Sequence, residues 1–469
     1  MAAAPLKVLV IGGGIAGPAL AYWLSRINAN ITLIERSPHI RASGQQVDLR
    51  AQGVHMMKKM GIEDAIQAAA VPETGTQLID INGRTKAFFP AVQNGTMKQS
   101  FTSEYEIMRG DLVNILYSLT QNCENVNHLF YTTVDSITQD DESDPYGKVH
   151  VNFQHGCQED FDLVVGAEGT GSKTRRMMMG PDAPEPRKRV EGPGKGYIGY
   201  FSIPSKPEDS DRGTFCHLPG TRLSRIIATR KDCPELTRIY MLMYGTDDAL
   251  EEAYKSGDLA RLKKAWADIY QDGGWQCDRF MEALRHAPEA DDLYCTPLEE
   301  VHLPKGSWSK GRVVLVGDSA HTKTPEGFGT TWGLIGPYIL AGEIAALYET
   351  ARWSPSAAVI QGAKNYEETF RPVVTARHGS RSWIEYVTLP TSRLGTRLLH
   401  TFAGVAAHLR FDQGCGLDRR TSRWKLPHYP ELEDELEKVC STAASSFPDS
   451  YYYPELEKFR SESTSNWTW

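Results

Sequence analysis

Closely spaced cysteine pairs are missing from this chain. Its 469 residues include 8 cysteines, and no two of them form a Cys-x-x-Cys pair. Neither a zinc site nor a disulfide framework is therefore predicted, and free thiols in a reducing compartment are the expected state of these side chains.

Positive charge is also scarce. The chain carries 51 lysines and arginines against 59 aspartates and glutamates, which gives a formal net charge of -8. It contains no basic stripe of the kind that nucleic-acid binding needs. We therefore expect no nucleic-acid partner.

Long hydrophobic runs are absent as well. No uninterrupted apolar stretch is long enough to cross a bilayer. The first five residues carry no basic segment, and the short apolar run at residues 8–11 is better explained as a strand than as part of a signal peptide. We expect no transmembrane segment and a cytoplasmic location.

A glycine turn lies near the start of the chain. Residues 7–17 read KVLVIGGGIAG, in which a short apolar run precedes Gly12, Gly14 and Gly17 in a Gly-x-Gly-x-x-Gly pattern. The pattern predicts a buried strand, a tight turn and a helix. Gly12 permits the turn, Gly14 lets the backbone approach a pyrophosphate, and Gly17 lets the helix pack closely on the strand.

A second predicted strand, residues 31–34, ends in Glu35, which lies 23 residues after Gly12. An acid at this distance is placed to bind ribose hydroxyls. Arg36 follows, and its positive charge either helps to hold an adenosine phosphate or is a solvated surface group. The unit predicts dinucleotide binding, but it does not decide between FAD and NAD.

Another stretch that predicts a ligand lies two-thirds of the way along the chain. Residues 313–316 are apolar and predict a buried strand, which Gly317 ends and Asp318 follows. A glycine-rich loop at residues 325–329 then leads into a helix that we expect to begin near Thr331. A carboxylate so placed accepts hydrogen bonds from hydroxyls, and the free N–H groups of a helix start favour negative charge. The alternative is that Asp318 only caps the next turn.

Together these motifs occur in the order of a known family. They are the first glycine turn with Glu35, the pair Glu168-Gly169 after an apolar run, and Gly317-Asp318 with its glycine loop. On these motifs the chain from residue 7 to residue 372 resembles the class A flavoprotein monooxygenases, the family of p-hydroxybenzoate hydroxylase. It is similar in character to the tetracycline-inactivating enzymes and to the fungal monooxygenases of aromatic and alkaloid biosynthesis.

The resemblance implies a chemistry that the cofactor carries. In this family NADPH or NADH is a transient co-substrate that reduces a tightly but non-covalently bound FAD, and O2 then adds to form a flavin C4a-hydroperoxide. The expected function is the insertion of one oxygen atom into a hydrophobic aromatic or polycyclic small molecule, such as a polyketide or an alkaloid. Hydroxylation is the leading expectation for the reaction, and epoxidation and Baeyer–Villiger oxidation are the alternatives. No metal is expected, and the protein is expected to be a monomer or a homodimer.

The resemblance also implies an α/β fold. A Rossmann-like FAD-binding domain carries an inserted mixed β-sheet substrate domain and a helical C-terminal part. The predicted boundaries are 1–180 and 301–390 for the two parts of the FAD-binding domain, 181–300 for the substrate domain, and 391–469 for a C-terminal helical region and tail. Strands of one sheet are predicted at 197–203, 213–218, 224–229 and 238–244, and a hairpin at 78–89 with Asn82-Gly83 as its turn.

Further cofactor contacts are implied by position in the family motifs. Val47 and Asp48 match a strand that passes beside the flavin, and the alternative is a plain edge strand. Arg109 matches an arginine just before a helix, which contacts the flavin side chain or its phosphates; without an anionic partner it would be badly placed against the helix dipole. The loop and helix start of the second flavin motif match Gly329, Thr330 and Thr331.

The middle block carries no cofactor motif, and aromatic residues and a histidine in it could line a substrate pocket. These weak candidates are Tyr197, Tyr200, His217 and Tyr240. Each of them has core packing as its alternative role. The family has no obligatory catalytic triad and this chain shows none, so no catalytic residue is assigned.

Two positions depart from the family pattern. The resemblance implies that Glu168 binds the cofactor, since it stands where the family has an aspartate that touches FAD and the approach of NADPH; Gly169, Ser172 and Arg175 are kept. The extra methylene must change the local hydrogen bonds, which bears on the pyridine-nucleotide step rather than on the flavin site. The loop at residues 325–329 is one residue shorter than the usual spacing, so the segment under the flavin ring could sit differently.

Two other functions remain as alternatives. Flavin-dependent halogenases share the fold, but the Trp-x-Trp-x-Ile-Pro segment that they typically carry is absent from this sequence. A non-catalytic flavin-binding protein that senses redox state is the second alternative, and the exchange at Glu168 and the shortened loop are the features that allow it.

Overall fold

The structure is a computed structural model that describes residues 5–40, 45–71, 74–91, 105–220, 222–231, 234–323, 327–348, 355–375, 389–410 and 424–433. The predicted residues Pro325 and Glu326, and the predicted tail beyond residue 433, lie outside the described residues.

The described strands are β1 (Lys7–Ile11), β2 (Asn30–Ile34), β3 (Gln46–Asp48), β4 (Gly75–Ile79), β5 (Thr85–Pro90), β6 (Glu106–Met108), β7 (Val126–Leu129), β8 (Val134–Gln139), β9 (Val149–Phe153), β10 (Gln158–Phe161), β11 (Leu163–Gly166), β12 (Arg187–Arg189), β13 (Gly196–Pro204), β14 (Gly213–Leu218), β15 (Ser224–Lys231), β16 (Leu236–Tyr244), β17 (Tyr294–Pro297), β18 (Glu299–Val301), β19 (Ser309–Lys310), β20 (Val313–Leu315) and β21 (Thr322–Lys323).

The described α-helices are α1 (Ala16–Ser25), α2 (Gln52–Lys59), α3 (Glu63–Ala68), α4 (Arg109–Ser118), α5 (Lys173–Met179), α6 (Asp248–Ser256), α7 (Leu259–Tyr270), α8 (Cys277–His286), α9 (Gly329–Tyr348), α10 (Pro355–Thr375), α11 (Arg393–His408) and α12 (Pro430–Glu433). None of these helices is both long enough and apolar enough to span a bilayer.

A six-stranded sheet forms the centre of the first structural unit. Its strand order is β19-β20-β11-β1-β2-β7, and all neighbours are parallel except β19 and β20. Val8, Leu9 and Val10 of β1 are fully buried, because a parallel strand inside an α/β fold is covered on both faces. The continuous apolar run of this strand therefore predicted its position correctly.

The register of this sheet brings the loops of the three sequence motifs to one edge. Ile11 pairs with both Ile34 and Gly166, and Gly166 pairs with Leu315. Each of these four residues is the last of its strand, so the segments that follow them leave the sheet side by side. The chain passes from β1 to β2 on one side and reaches β11 on the other, which makes β1 a switch point where ligands of open α/β sheets bind.

A seven-stranded sheet forms the second unit, in the order β17-β13-β16-β15-β14-β4-β5. The four strands predicted for the middle block all belong to it, so the prediction of one sheet is confirmed. The predicted hairpin is confirmed as β4 and β5, and Gly83 in its turn has a φ of +79°.

The position of this hairpin differs from what the predicted boundaries imply. Strand β4 pairs in parallel with β14, so the hairpin belongs to the second sheet although its residues fall within 1–180. The periodicity of a hairpin shows which residues are strands, but it cannot show which sheet they join. The domain boundaries themselves stay a prediction.

One face of the seven-stranded sheet packs on α6, α7 and α8. The buried cluster between them includes Phe201, Met241, Trp266 and Phe280. Alternate residues along the strands point away from these helices. The opposite face is thereby left for contacts with the first unit.

The C-terminal part of the described chain is helical, as predicted. Helices α9 and α10 pack on each other, α9 also packs on α1, and α11 packs on β5. Helix α9 begins at Gly329, two residues before the predicted start, and β20 ends one residue before the predicted strand end. Such shifts are within the usual uncertainty of element ends.

Candidate functional site

The glycine turn after β1 is built by close backbone contacts. Gly12 has a φ of +117°, and a Cβ atom on it would lie 2.6 Å from the carbonyl oxygen of Ala167. A Cβ on Gly17 would overlap the carbonyl oxygen of Gly12. A side chain at either position would therefore break the turn or its contact with β11.

Gly14 plays a different part in the same turn. A Cβ on Gly14 would lie 3.4 Å from one nitrogen of the Arg109 guanidinium and within 4 Å of no other atom of the residues that the structure describes. The backbone here is thus open on one side and has a positive charge beside it. This is the environment that a pyrophosphate needs.

The carboxylate of Glu35 binds the glycine turn from the end of β2. Its two oxygens accept hydrogen bonds from the backbone N–H groups of Gly13, at 2.8 Å, and Ser37, at 2.9 Å. Each carboxylate oxygen keeps a further lone pair for a ribose hydroxyl. The side chain of Arg36 is exposed, and its contact with an adenosine phosphate stays a prediction.

Arg109 is the first residue of α4, and its position is fixed by the backbone. Its N–H donates to the carbonyl oxygen of Gln45 at 3.0 Å, and the pairing of β3 with β6 places Val47 opposite Ile107. The guanidinium lies near Gly14 at a helix N-terminus, where a cation is unfavourable. An anionic group between the turn and α4 would remove this unfavourable interaction.

Asp318 follows β20, at the sheet edge where the motif loops meet. The residue is exposed, yet the protein atoms around it are dense enough that burial raises the pKa of its carboxyl group, while a hydrogen bond from Thr322 and the charge of Arg109 act in the opposite direction. These two observations agree if the exposed surface opens into a recess of the protein rather than towards bulk solvent. A Cβ on Gly329 would lie 3.8 Å from the Asp318 Oδ1 atom, so the start of α9 closes one side of the recess.

The three predicted residues at the start of α9 have different environments. Gly329 is exposed, Thr330 is half-buried, and Thr331 is fully buried. The Thr331 hydroxyl donates to the carbonyl oxygen of Arg50 at 3.3 Å and accepts a hydrogen bond from the backbone N–H of Arg50 at 3.4 Å. The hydroxyl of Thr331 is therefore bound to the protein, and the free backbone N–H groups at the start of α9 are what this turn offers a ligand.

Asp48 lies in a charged cluster that the sequence did not reveal. Its carboxylate pairs with Arg50 at 2.7 Å. Burial, and then the nearby Glu106, raise the pKa of Asp48, while Arg50 lowers it. Glu106 in turn forms a two-pronged ion pair with Arg230 of β15, so the cluster joins the seven-stranded sheet to the paired strands β3 and β6. Contacts between distant strands leave no local signal in a sequence.

Glu168 holds the start of α5. Its carboxylate accepts hydrogen bonds from the Ser172 hydroxyl at 2.7 Å and from the N–H groups of Thr174 at 3.0 Å and Lys173 at 3.2 Å. The longer side chain thus reaches the free N–H groups of the helix. The carboxylate is occupied within the protein, and its contact with a cofactor stays a prediction.

Ser319 connects the second and third motifs. Its hydroxyl accepts a hydrogen bond from the N–H of Gly169 at 3.0 Å, and its carbonyl oxygen accepts one from the buried guanidinium of Arg175, also at 3.0 Å. Sequence reasoning noted Arg175 as a kept residue but missed Ser319. Its only signal is its place directly after Asp318.

The four pocket candidates do not share one surface. Tyr200 pairs with Tyr240, and His217 lies on the same face by register. Tyr197 lies on the opposite face, where its hydroxyl binds Arg189 and Glu251 and its ring packs in the helical layer. The structure therefore places three of the candidates on one face and Tyr197 on the other, because positions of opposite parity point to opposite faces. On the shared face Tyr200 and Tyr240 are neighbours, whereas His217 lies three strands from Tyr200 and beside His400 of α11.

The face that carries Tyr200 and Tyr240 is the one directed towards the first unit. Arg230 and Arg238 are paired on this face, two residues along from Tyr240, and Arg230 reaches Glu106 of β6. Strand β6 pairs with β3, which lies near the start of α9 through the contacts of Arg50. The aromatic face and the motif loops therefore border the same region.

Comparisons with known proteins agree with this geometry. The FAD binding domain family matches residues 5–189. The flavin-dependent monooxygenase eupH of a Phoma species is 40% identical over 91% of this chain and 97% of its own length. The FAD-dependent monooxygenase asL4 of Sarocladium schorii is 36% identical over 92% of this chain and 99% of its own length.

Solved structures show the same likeness. The tetracycline destructase Tet(55) superposes with a TM-score of 0.68 at 27% identity, covering 91% of this chain and 99% of its own. Tet(51) gives a TM-score of 0.64 at 26% identity, with 92% and 100% covered. With the motif loops at one sheet edge and these relatives matched over nearly their full length, the chain belongs to the class A FAD-dependent monooxygenases.

Proposed function

We propose that this enzyme inserts one atom of O2 into a hydrophobic aromatic or polycyclic small molecule, with NADPH or NADH as the reductant. The observation that carries the proposal is the aromatic sheet face, with Tyr200 and Tyr240, beside the recess that Asp318 faces. The name of the tetracycline destructases and the monooxygenase names of the fungal relatives support the same reaction class.

The residues around the recess fit FAD. Glu35 keeps acceptor positions for ribose hydroxyls, and the open backbone at Gly14 lies beside the positive charge of Arg109. Burial raises the pKa of the Asp318 carboxyl group, and ribityl hydroxyls would donate hydrogen bonds to its carboxylate. When bound, FAD supplies electron transfer from the nicotinamide and the activation of O2.

The sheet face supplies a surface suited to a flat, hydrophobic substrate. Tyr200 stacks on Tyr294 with ring centroids 4.9 Å apart and lies 6.1 Å from Tyr240. By register, Ile198 and Leu242 continue the same face. Such a surface orients an aromatic molecule and keeps water from the reacting region.

The rigid link between the units positions this surface. The ion pair of Arg230 with Glu106 joins the substrate sheet to the strands beside the recess. Positioning contributes a large share of the rate when two bound reactants must meet. The protein contributes orientation and exclusion of water, while the redox chemistry belongs to the cofactor.

A substrate screen tests the proposal. Purified protein should be yellow with bound FAD, and a suitable aromatic substrate should accelerate NADPH consumption and gain one oxygen atom in the mass spectrum. The position of the new oxygen, read by NMR, separates hydroxylation from epoxidation and Baeyer–Villiger oxidation. A colourless protein that takes up no added FAD would overturn the proposal, and bound flavin that NADPH never reduces would favour a non-catalytic flavin sensor.

A further inference from the structure

Helix α11 turns its large apolar side chains outward. Five of them recur every three or four residues, so they form one stripe along the helix. Their exposed fractions are 68% for Leu394, 63% for Leu398, 71% for Phe402, 52% for Val405 and 56% for Leu409.

The side of the same helix that packs on β5 carries polar and small residues, with Leu399 half-buried beside them. Thr396 and His400 are its buried side chains, and a Cβ on Gly404 would lie 2.9 Å from the carbonyl oxygen of Lys86 in β5. A helix that only completes a fold buries its apolar stripe and exposes its polar face. In α11 the arrangement is reversed, so the stripe does not serve the packing of α11 on β5.

The charged side chains that α11 itself carries all have one sign, although Arg393 shares a cleft with Asp247, Asp268 and Asp272 of the neighbouring unit. Residues 393–410 contain three arginines and two histidines and no acid, although the whole chain has a net charge of -8. Arg393, Arg397, His408 and Arg410 are exposed. A cleft of about 650 Å³ runs along this flank and is lined by Arg397, His408 and Lys86, of which Lys86 pairs with Asp80 at 2.8 Å.

We propose that α11 binds the surface of an anionic lipid membrane, with its apolar stripe in the boundary between headgroups and acyl chains. Apolar side chains on one face and basic residues beside them are the pattern of helices that lie in a membrane interface. The arginines then lie at the depth of the lipid phosphates, where basic residues are attracted to anionic lipids. The helix lies on the membrane and does not cross it.

A second copy of the chain fits this face less well. A 16-residue helix is about 24 Å long, and a single stripe on it covers much less than the roughly 800 Å² that each partner of a stable dimer buries. Two such stripes placed together would also bring arginines of like charge close to each other. An anionic lipid surface satisfies both the apolar stripe and the charges.

Vesicle flotation with the full-length, FAD-loaded protein tests this inference. The protein should float with vesicles of phosphatidylcholine and phosphatidylserine, bind vesicles of phosphatidylcholine alone more weakly, and leave the anionic vesicles at high salt. Phe402→Glu together with Leu398→Glu should weaken binding roughly tenfold or more on both vesicle types. Arg393→Gln together with Arg397→Gln should weaken binding only on the anionic vesicles.

Matched controls separate the inference from its alternatives. Tyr146→Glu changes a side chain that is 66% exposed elsewhere on the molecule, and it should leave flotation unchanged. Flavin content shows that each variant folds. Failure of the unchanged protein to float with any vesicle overturns the inference. So does a Phe402→Glu protein whose mass by light scattering falls from dimer to monomer, because the stripe would then bind a second copy. The assay needs no turnover, so its result is independent of the proposed reaction.

Discussion

Opposing effects act on the pKa of the Asp318 carboxyl group. Burial favours the neutral acid, while Thr322 and the charge of Arg109 favour the carboxylate. Hydroxyl donors of a bound ligand would also favour the carboxylate, since hydrogen bonds to a charged acceptor are stronger than those to a neutral one. The charge of this residue and the binding of FAD should therefore depend on each other.

Asp318→Asn tests this dependence. The amide keeps the size and one acceptor, so the protein should fold, but FAD affinity should fall by about tenfold or more because charge-assisted bonds become neutral ones. The ratio of flavin to protein absorbance in the purified protein measures the loss. Asp211→Asn, at an exposed loop position, should retain its flavin. A full complement of FAD in the Asp318→Asn protein would show that the cofactor does not rest on this carboxylate.

The raised pKa of Asp318 also predicts a pH dependence of FAD binding. If ligand donors lower this pKa in the complex, binding releases a proton, and affinity is greatest above the pKa of the free protein and falls as the pH drops through it. Because burial raises that pKa, the loss should begin at a higher pH than for an ordinary aspartate. Fluorescence of released flavin along a descending pH series measures it, and the Asp318→Asn protein should lack this phase.

At the scale of single elements, the β1–α1 turn depends on the absence of one side chain. Gly17→Ala places a Cβ on the carbonyl oxygen of Gly12, and the overlap should lower the free energy of unfolding by roughly 1–3 kcal/mol and reduce flavin content. Gly171→Ala is the matched control, because no atom of the described part of the chain lies within 4 Å of a Cβ there. Urea unfolding measures the free energy of unfolding of both variants, and equal values would contradict this account of the turn.

Local signals explain which elements the sequence could predict. The apolar run of β1, its glycine turn and Glu35 lie within one short segment, and all of them were located correctly because strand, turn and acid each leave a pattern of their own. The separation of Tyr197 from Tyr200 follows from their opposite parity on one strand and was overlooked, whereas the side of the strand that faces the cofactor is not visible in a sequence. Ser319 and Arg230 were missed because their partners lie 150 and 124 residues away.

At the scale of the whole molecule, the seven-stranded sheet is joined to the paired strands β3 and β6 by a mostly buried ion pair. The side chains of Arg230 and Glu106 are only 14% and 10% exposed, and removing one partner leaves the other charge without its main counterion. The family resemblance predicted two units side by side. It could not predict this ion pair, because the desolvation cost and the electrostatic gain of a buried pair depend on surroundings that only the folded structure shows.

Arg230→Gln should therefore lower the free energy of unfolding by about 3–5 kcal/mol. Adding Glu106→Gln should recover part of that loss, since the double change leaves no unpaired charge. A urea double-mutant cycle measures both effects. Lys264→Gln breaks an exposed pair with Asp268, whose side chains are 75% and 51% exposed, and should cost less than about 1 kcal/mol. Equal effects at the two pairs would show that the joint between the sheets is not held by charge.

The parallel pairing of β4 with β14 has a consequence for how the chain is made. The hairpin ends at residue 90, but its partner strand ends at residue 218, so at roughly 5–20 residues per second the ribosome takes on the order of ten seconds to deliver that partner. The six-stranded sheet is completed later still, because β20 (residues 313–315), a strand that pairs with β11, is synthesised after β14. Through most of synthesis both sheets present unpaired edges, which template wrong pairings. A nascent chain of this enzyme should therefore be a long-lived client of chaperones that shield such edges.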